Sequence, residues 1–266
     1  MNSLWRRAST ALLDAILPCA CVVCARPIRS VSLTRPPAFC GRCERELPWW
    51  RYADGCPRCG ERRISSVGCP RCLSRMSPLQ ASHVAFRYAG PVVRWIPAIK
   101  SEEGRSGEAL LRAMDALAEA LAERVAREAA GRIDFVVPLP LHAERLRRRG
   151  FNQAEVLARS IARRLDRPSR TDVLERVRAT QPQAWLRGEA RRENVRGAFR
   201  APRALSGDPR IALVDDVLTT GATLEAAANA LLEAGALEVR GIALAATLPG
   251  GAKNSPRGTP GRRAVP

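Results

Sequence analysis

No apolar stretch of this 266-residue chain approaches the roughly 20 residues that span a bilayer, because charged side chains interrupt every such run. Insertion as a membrane-spanning helix is thereby excluded. Lysine is nearly absent, with only Lys100 and Lys253, so the formal net charge of +18 rests on arginine. Histidine is as scarce: His83 and His142 stand alone, and a lone histidine is a packing or surface residue before it is a base. Cysteine vanishes after Cys72, which confines any thiol chemistry to the first quarter. The first residues, MNSLWRRASTALLDAILPC, imitate a secretory signal, but Asp14 breaks the apolar segment. Leu4, Ala8, Leu12 and Ile16 keep helical spacing, and an amphipathic helix is expected there.

What is present is a chain with 46% hydrophobic residues, enough for a globular core in one ordinary domain and a smaller one. Its basic charge suits phosphates, nucleic acid or anionic surfaces. An Arg- and Ala-rich composition has the same charge without any partner, so charge alone decides little.

Eight of the nine cysteines form C-x-x-C pairs: Cys21/Cys24, Cys40/Cys43, Cys56/Cys59 and Cys69/Cys72. A tight turn of this spacing sets two thiolates on one metal, and two such knuckles complete a tetrahedral Zn2+ site. Pro57 and Gly60, and Pro70 in the last knuckle, favour the turns. Sequential pairing predicts two compact zinc ribbons, and interleaved pairing stays open. Redox, iron–sulfur or disulfide chemistry are the alternatives. With every ligand a protein thiolate, the metal is structural and the compartment reducing, which suits the cytoplasm. Cys19 is left over as a small apolar residue or a free thiol.

From about Ser82 strands and helices alternate. "SHVAFRYAG" reads as a strand, Pro91 and Pro97 punctuate a short segment, and Leu110, Met114, Leu117, Leu121 and Val125 line a long amphipathic helix. "IDFVVPLP" is a buried strand and "NQAEVLARSIARRL" a helix with Asn152 as N-cap and Glu155 in the capping-box position. "DVLERV" and "RIALV" are strands, residues 221–235 a helix, and "EVRGIALAATL" the last strand. The fold class is therefore α/β, a parallel sheet covered by helices on both faces. Expected boundaries are 1–80 for the helix and double ribbon, 81–249 for the α/β domain, and 250–266 for a disordered Gly-, Pro- and Arg-rich tail.

The segment "RIALVDDVLTTGATLEAAANALLEAGA" carries the chemistry. A strand ending at Val214 delivers Asp215 and Asp216, then the turn Thr219-Thr220-Gly221-Ala222-Thr223, then a helix whose positive end points at the same spot. Backbone N–H groups and threonine hydroxyls there make a phosphate cradle, and Gly221 lets the backbone close on the oxygens. The two acids would repel a phosphate beside them, so they face neutral hydroxyls. A 5-phosphorylated ribose satisfies both demands.

At these residues the chain resembles type I phosphoribosyltransferases, whose phosphoribosyl pyrophosphate (PRPP) signature is similar to "ALVDDVLTTGAT". It further resembles the ComF (GntX-like) group, a double zinc ribbon joined to a phosphoribosyltransferase domain. The stretches "IPAIKSEEGR", "VVPLPLHAERLRRRGFNQAEVLA" and "RATQPQAWLRGEARRENVRGAF" carry that likeness, which spans about residues 15–248. The resemblance implies PRPP bound with Mg2+, a pyrophosphate loop at Pro138-Leu139-Pro140, a flap over the sugar containing Thr180, Gln181, Arg192 and Asn194, and a link to DNA uptake in competence. Lys100, Arg145, Arg148 and Arg149 are the cations placed to meet the pyrophosphate. No segment reads as a hood for a nucleobase, and the acceptor is not legible.

Two readings follow. In one, the protein is a phosphoribosyltransferase whose catalytic residues Asp215 and Asp216 hold the ribose while any general base acts on the acceptor. In the other, the pocket is a PRPP sensor, or part of a protein that handles single-stranded DNA through its arginines, with Trp49, Trp50 and Tyr52 stacking on bases or packing against the ribbon. The oligomeric state is not legible.

Overall fold

The computed structural model describes residues 19–21, 23–28, 39–51, 55–59, 69–74, 76–100, 117–119, 121–127, 132–180 and 188–247. The expected N-terminal helix, Tyr52, Leu110, Met114, Gln181 and the tail lie outside them, as does the side chain of Cys19.

The cysteine-rich portion contains β1 (Cys19–Ala20), β2 (Pro27–Ile28), α1 (Gly41–Glu46) and α2 (Pro70–Ser74). The rest supplies β3 (Ala81–Arg87), α3 (Val92–Lys100), β4 (Phe135–Pro138), α4 (Ala143–Arg149) and α5 (Gln153–Leu165). There follow β5 (Glu175–Arg176), α6 (Gly188–Val195), β6 (Phe199–Arg200), β7 (Arg210–Leu218), α7 (Ala222–Glu233) and β8 (Glu238–Ala246). Residues 117–119 and 121–127 are also helical.

Four strands pair in the order β3-β8-β7-β4, all parallel. Ser169 bridges Val136 beyond β4 in the same sense. The apolar run 211–214 is continuous because both faces of β7 are buried. Ala212 and Val214 belong to one buried cluster, with Trp95, Leu121 and Leu157, and Ile211 and Leu213 to another, with Leu224 and Leu231 of α7. Gly241 in β8 keeps that second face tight, since a Cβ there would stand 3.4 Å from the Leu79 and Leu224 methyls.

Three details depart from expectation. β7 does not stop at Val214 but runs to Leu218, because β8 keeps pairing with it through Asp215↔Ala243, Val217↔Ala245 and Leu218↔Ala246. The segment "DVLERV" contributes only Glu175 and Arg176, which pair antiparallel with β6 outside the main sheet. Its Val173 and Leu174 are buried in the core as loop residues instead. Pro97 sits inside α3 rather than bounding it.

The cysteine-rich portion is stitched to the sheet. Along the outer edge of β3, Trp50 N donates to the Ala85 carbonyl (2.8 Å), Arg87 N to Pro48 (2.7 Å) and Ser82 N to Pro57 (2.6 Å). Trp49 stacks tilted on Phe86 at 4.7 Å, and Trp50 and Leu79 enter the core. The two tryptophans therefore pack; they do not stand out to stack on bases. An edge that would otherwise offer unpaired backbone groups is covered.

Candidate functional site

The carboxyl ends of β7 and β4 meet at one corner. Asp215 and Asp216 are half-buried there, and Asp216 N donates to Asp215 Oδ1 at 2.8 Å. Val214 and Val217 both contact the same core, as Leu213 and Leu218 both contact the other, so side-chain alternation slips by one across the acid pair. Past Leu218 the chain turns through Thr219 and Thr220, both half-buried, into Gly221 at φ 72°. That left-handed conformation is the one glycine enters freely. Gly221 is the N-cap of α7, its carbonyl accepting from Glu225 N at 2.8 Å, and no side chain caps the helix. Gly221, having no side chain, cannot cap the first-turn N–H groups, and the helix dipole adds a partial positive charge.

The second wall is the loop after β4. Leu139 N donates to the Val214 carbonyl at 2.8 Å, which fixes Pro138-Leu139-Pro140 beside the acids. Asn152 does double work. Its Oδ1 accepts from Ala154 N (3.1 Å), capping α5 as expected, while its Nδ2 donates to the Leu139 carbonyl (3.0 Å). Glu155 pairs with Arg159 at 2.7 Å. Within α4, Arg145 and Arg149 are half-buried and Arg148 is exposed. Arg149 donates to Gln153 Oε1 at 3.2 Å. Burial lowers the Arg149 pKa from its ordinary value; Asp216 opposes the change, and Arg145 and Arg148 add to it. His142 precedes α4 with Nδ1 buried and without a hydrogen-bond partner. Lys100 is the last residue of α3, and its side chain lies outside the described residues.

A third wall went unread in the sequence. The β5–β6 ribbon carries Arg176, half-buried with its guanidinium 5.2 Å from the Phe199 ring centre. Burial, then the charge of Arg145, brings Arg176 down to about 10; Asp215 opposes this and Arg178 reinforces it. Arg145 donates to the Thr180 carbonyl at 2.8 Å and Arg176 to the Thr180 hydroxyl. Arg178 donates to the carbonyls of Asn194 (3.1 Å) and Arg196 (2.5 Å), closing the end of α6. The segment expected to be a flap over the sugar includes the helix α6, which packs on α7. Arg176 gave no signal among 44 Lys and Arg residues; its burial comes from the distant Phe199.

The cysteines group sequentially. Cys21, Cys24, Cys40 and Cys43 form one cluster, and Cys56, Cys59, Cys69 and Cys72 another, with all ligating atoms of each within 4.8 Å of one another. None of these eight is in a disulfide. Backbone N–H groups donate to sulfur within each cluster, from Cys40 N to Cys21 Sγ (3.4 Å) and from Cys72 N to Cys69 Sγ (3.3 Å). Burial resists charge on Cys21, but N–H groups of Cys40, Cys24 and Val23 outweigh it and bring the thiol to about 6. On Cys72 burial wins and pushes the thiol up to about 12. Four soft thiol donors at this spacing fit a tetrahedral Zn2+.

Comparison with known proteins agrees with this layout. Residues 106–258 match the phosphoribosyl transferase domain family. The DNA utilization protein YhgH of Escherichia coli O157:H7 is 35% identical over 196 residues, which cover 73% of this chain and 84% of that protein. Competence protein F of Haemophilus influenzae is 30% identical over 205 residues, covering 76% and 87%. The chain belongs to the ComF/YhgH family. Competence protein ComFC of Bacillus subtilis is 38% identical over 100 residues, 38% of this chain. In this ComF/YhgH protein the two four-cysteine clusters precede the phosphoribosyltransferase domain, and no helix among the described residues is long and apolar enough to cross a membrane.

Proposed function

We propose that the corner between β7 and β4 binds PRPP with Mg2+ and transfers its phosphoribosyl group to an acceptor. The observation that carries this reading is the run of two half-buried acids into a left-handed Gly221 and a helix N-terminus without a side-chain cap, facing the Arg145/Arg149 wall. The N–H groups of residues 221–223 and the hydroxyls of Thr219, Thr220 and Thr223 hold the 5-phosphate. Asp215 and Asp216 accept from the vicinal ribose hydroxyls, while Lys100, Arg145 and Arg149 meet the pyrophosphate. Mg2+, when bound with PRPP, neutralises pyrophosphate charge. The Thr180 segment closes over the sugar and excludes water. Catalysis is by position and electrostatics.

The four-cysteine clusters hold one structural Zn2+ each, the residues being Cys21, Cys24, Cys40 and Cys43, then Cys56, Cys59, Cys69 and Cys72. Reduced thiols suit the cytoplasm. The relatives named for DNA utilization and competence support a role beside DNA. A second reading, direct binding of single-stranded DNA, is favoured by one feature: Arg159, Arg163 and Arg167, four residues apart, line a groove of about 600 Å3 between α5 and Ser169.

Calorimetry with Mg2+ and PRPP tests the main reading. Binding is expected in the wild type, and Asp215→Asn with Asp216→Asn weakens it by about 10-fold or more, each charge-assisted hydrogen bond being worth about 1.5–3 kcal/mol. Absence of PRPP binding, or equal affinity in the double variant, overturns it.

A further inference from the structure

The two four-cysteine clusters are alike in spacing but not in cover. In the second, Cys56, Cys59 and Cys69 are buried together and only Cys72 is half-buried. In the first, Cys21 and Cys43 are buried, Cys40 is half-buried and Cys24 is exposed. Anchoring differs in the same direction. Ser82 of β3 donates from its backbone N to the Pro57 carbonyl and from its hydroxyl to the Arg58 carbonyl, which fixes the knuckle 56–59 on the sheet edge. The knuckle 21–24 is carried by the short pairing of β1 with β2. Among the described residues, the backbone–backbone bonds of 19–28 close within that hairpin, as from Cys21 N to the Arg26 carbonyl (2.8 Å) and from Ala25 N to the Cys21 carbonyl (2.7 Å). Ala25, next to Cys24, stands at φ 58°, a left-handed conformation that is costly for a residue with a side chain. The other half of the first cluster is firmly seated. The Phe39 ring lies 5.7 Å from that of Trp95, and Leu47 enters the main core, so the two hold α1 from both ends.

Exposure decides which thiolates meet an oxidant in solution. In the first cluster it falls on Cys24 and Cys40, whose sulfurs are 3.8 Å apart and belong to different knuckles. A nearer pair in the second cluster, Cys59 and Cys69 at 3.4 Å, is buried. Resting on the reading of each cluster as a Zn2+ site, we propose that Cys24 and Cys40 form a peroxide-sensitive thiol pair, oxidised to a disulfide with loss of the first cluster's metal while the second cluster keeps its own. The Cys24 thiolate attacks one peroxide oxygen, the O–O bond breaks and hydroxide leaves, so that Cys24 becomes a sulfenic acid. The Cys40 thiolate attacks that sulfur; the S–S bond forms as the S–O bond breaks, and a second hydroxide leaves. Two thiolates are thus oxidised to one disulfide, and one peroxide is reduced to two hydroxides that take protons from solvent. Two of the metal's four donors are thereby withdrawn. Because the bridge joins the two knuckles, the hairpin stays tied to α1, and a dithiol reverses the change.

The test treats the full zinc-loaded chain with hydrogen peroxide in the presence of a chromogenic zinc chelator, and maps disulfides by mass spectrometry. One equivalent of Zn2+ is expected to leave about 10-fold or more faster than the second, together with a Cys24–Cys40 bridge. Cys24→His keeps a zinc ligand without the thiol. It is expected to bind two Zn2+ and to lose the fast phase, whereas Cys72→His retains it. If Cys24→His arrives with one Zn2+, the wild-type disulfide map decides. Equal release rates, a fast phase that persists in Cys24→His loaded with two Zn2+, or a first bridge between any other pair overturns the proposal. A wild type that holds no Zn2+ removes the zinc reading instead, and the Cys24–Cys40 bridge alone then supports or overturns the thiol pair.

Discussion

Replacing Gly221 by valine attacks the cradle at its narrowest requirement. The residue holds φ 72°, where an L side chain meets the following carbonyl at a cost of about 1–2 kcal/mol, and more for a β-branched one. Its carbonyl also begins the α7 ladder by accepting from Glu225 at 2.8 Å, so the strain falls on the turn that presents the N–H groups. A ligand present at 100 times its Kd stabilises the fold by about 2.7 kcal/mol. At about 2–4 °C per kcal/mol for a domain of this size, PRPP with Mg2+ should raise the wild-type Tm by about 5–11 °C. In Gly221→Val the unliganded Tm should drop by about 2–8 °C and the PRPP increment should vanish. Gly221→Ala separates the two effects: it carries the backbone strain with a smaller obstruction, and retains part of the increment. Differential scanning fluorimetry reads all three proteins. If Gly221→Val keeps the full increment, the phosphate does not sit at this turn and the reasoning from backbone geometry is wrong.

Metal analysis should find about two Zn2+ per wild-type chain and about one in Cys56→Ser, whose ribbon unfolds because structural zinc contributes on the order of 10 kcal/mol to such a fold; iron, or a folded wild type without metal, contradicts this. Single-stranded DNA, if gripped at the groove beside α5, should bind with a log–log salt slope that falls by about 0.7 for each arginine replaced among Arg159, Arg163 and Arg167, and Asp215→Asn should leave it unchanged. An unchanged slope in the triple variant removes that groove as the DNA site.

The core of the site was readable because several signals coincide within a few residues: an apolar run, two acids, and a glycine before an amphipathic helix. Asn152 was readable as a cap for the same local reason. The sequence left sequential and interleaved cysteine pairing both open; the structure has the sequential one, as short loops bring adjacent knuckles together more readily than distant ones. What escaped depended on distant partners. The strand continues past Asp216 because Ala243, Ala245 and Ala246 supply its ladder, and two acids in a row look like an ending. Arg176 is half-buried because β6, more than twenty residues later, brings Phe199 under it. Nothing near Arg176 in the chain distinguishes it from a solvated arginine.

The cysteine-rich portion cannot be treated as a detachable appendage. Pro48, Trp50 and Pro57 hold the outer edge of β3, Arg124 donates to the Trp50 carbonyl at 2.6 Å, and Ser82 Oγ donates to Arg58 within the second cluster's first knuckle. Ser77 reaches Glu225 of α7 at 3.4 Å, and Leu79 is fully buried against that helix and β8. Removing residues 1–80 would therefore expose an edge strand and empty the space of Leu79 and Trp50, each a loss of about 2–5 kcal/mol by itself. A truncated protein that fails to bind PRPP would say little about zinc. A point change such as Cys56→Ser opens one cluster while Leu79, Trp50 and the acid pair stay in the chain. Loss of PRPP binding in that variant would mean that the metal holds the strand edge, and through α7 the phosphate turn, in place.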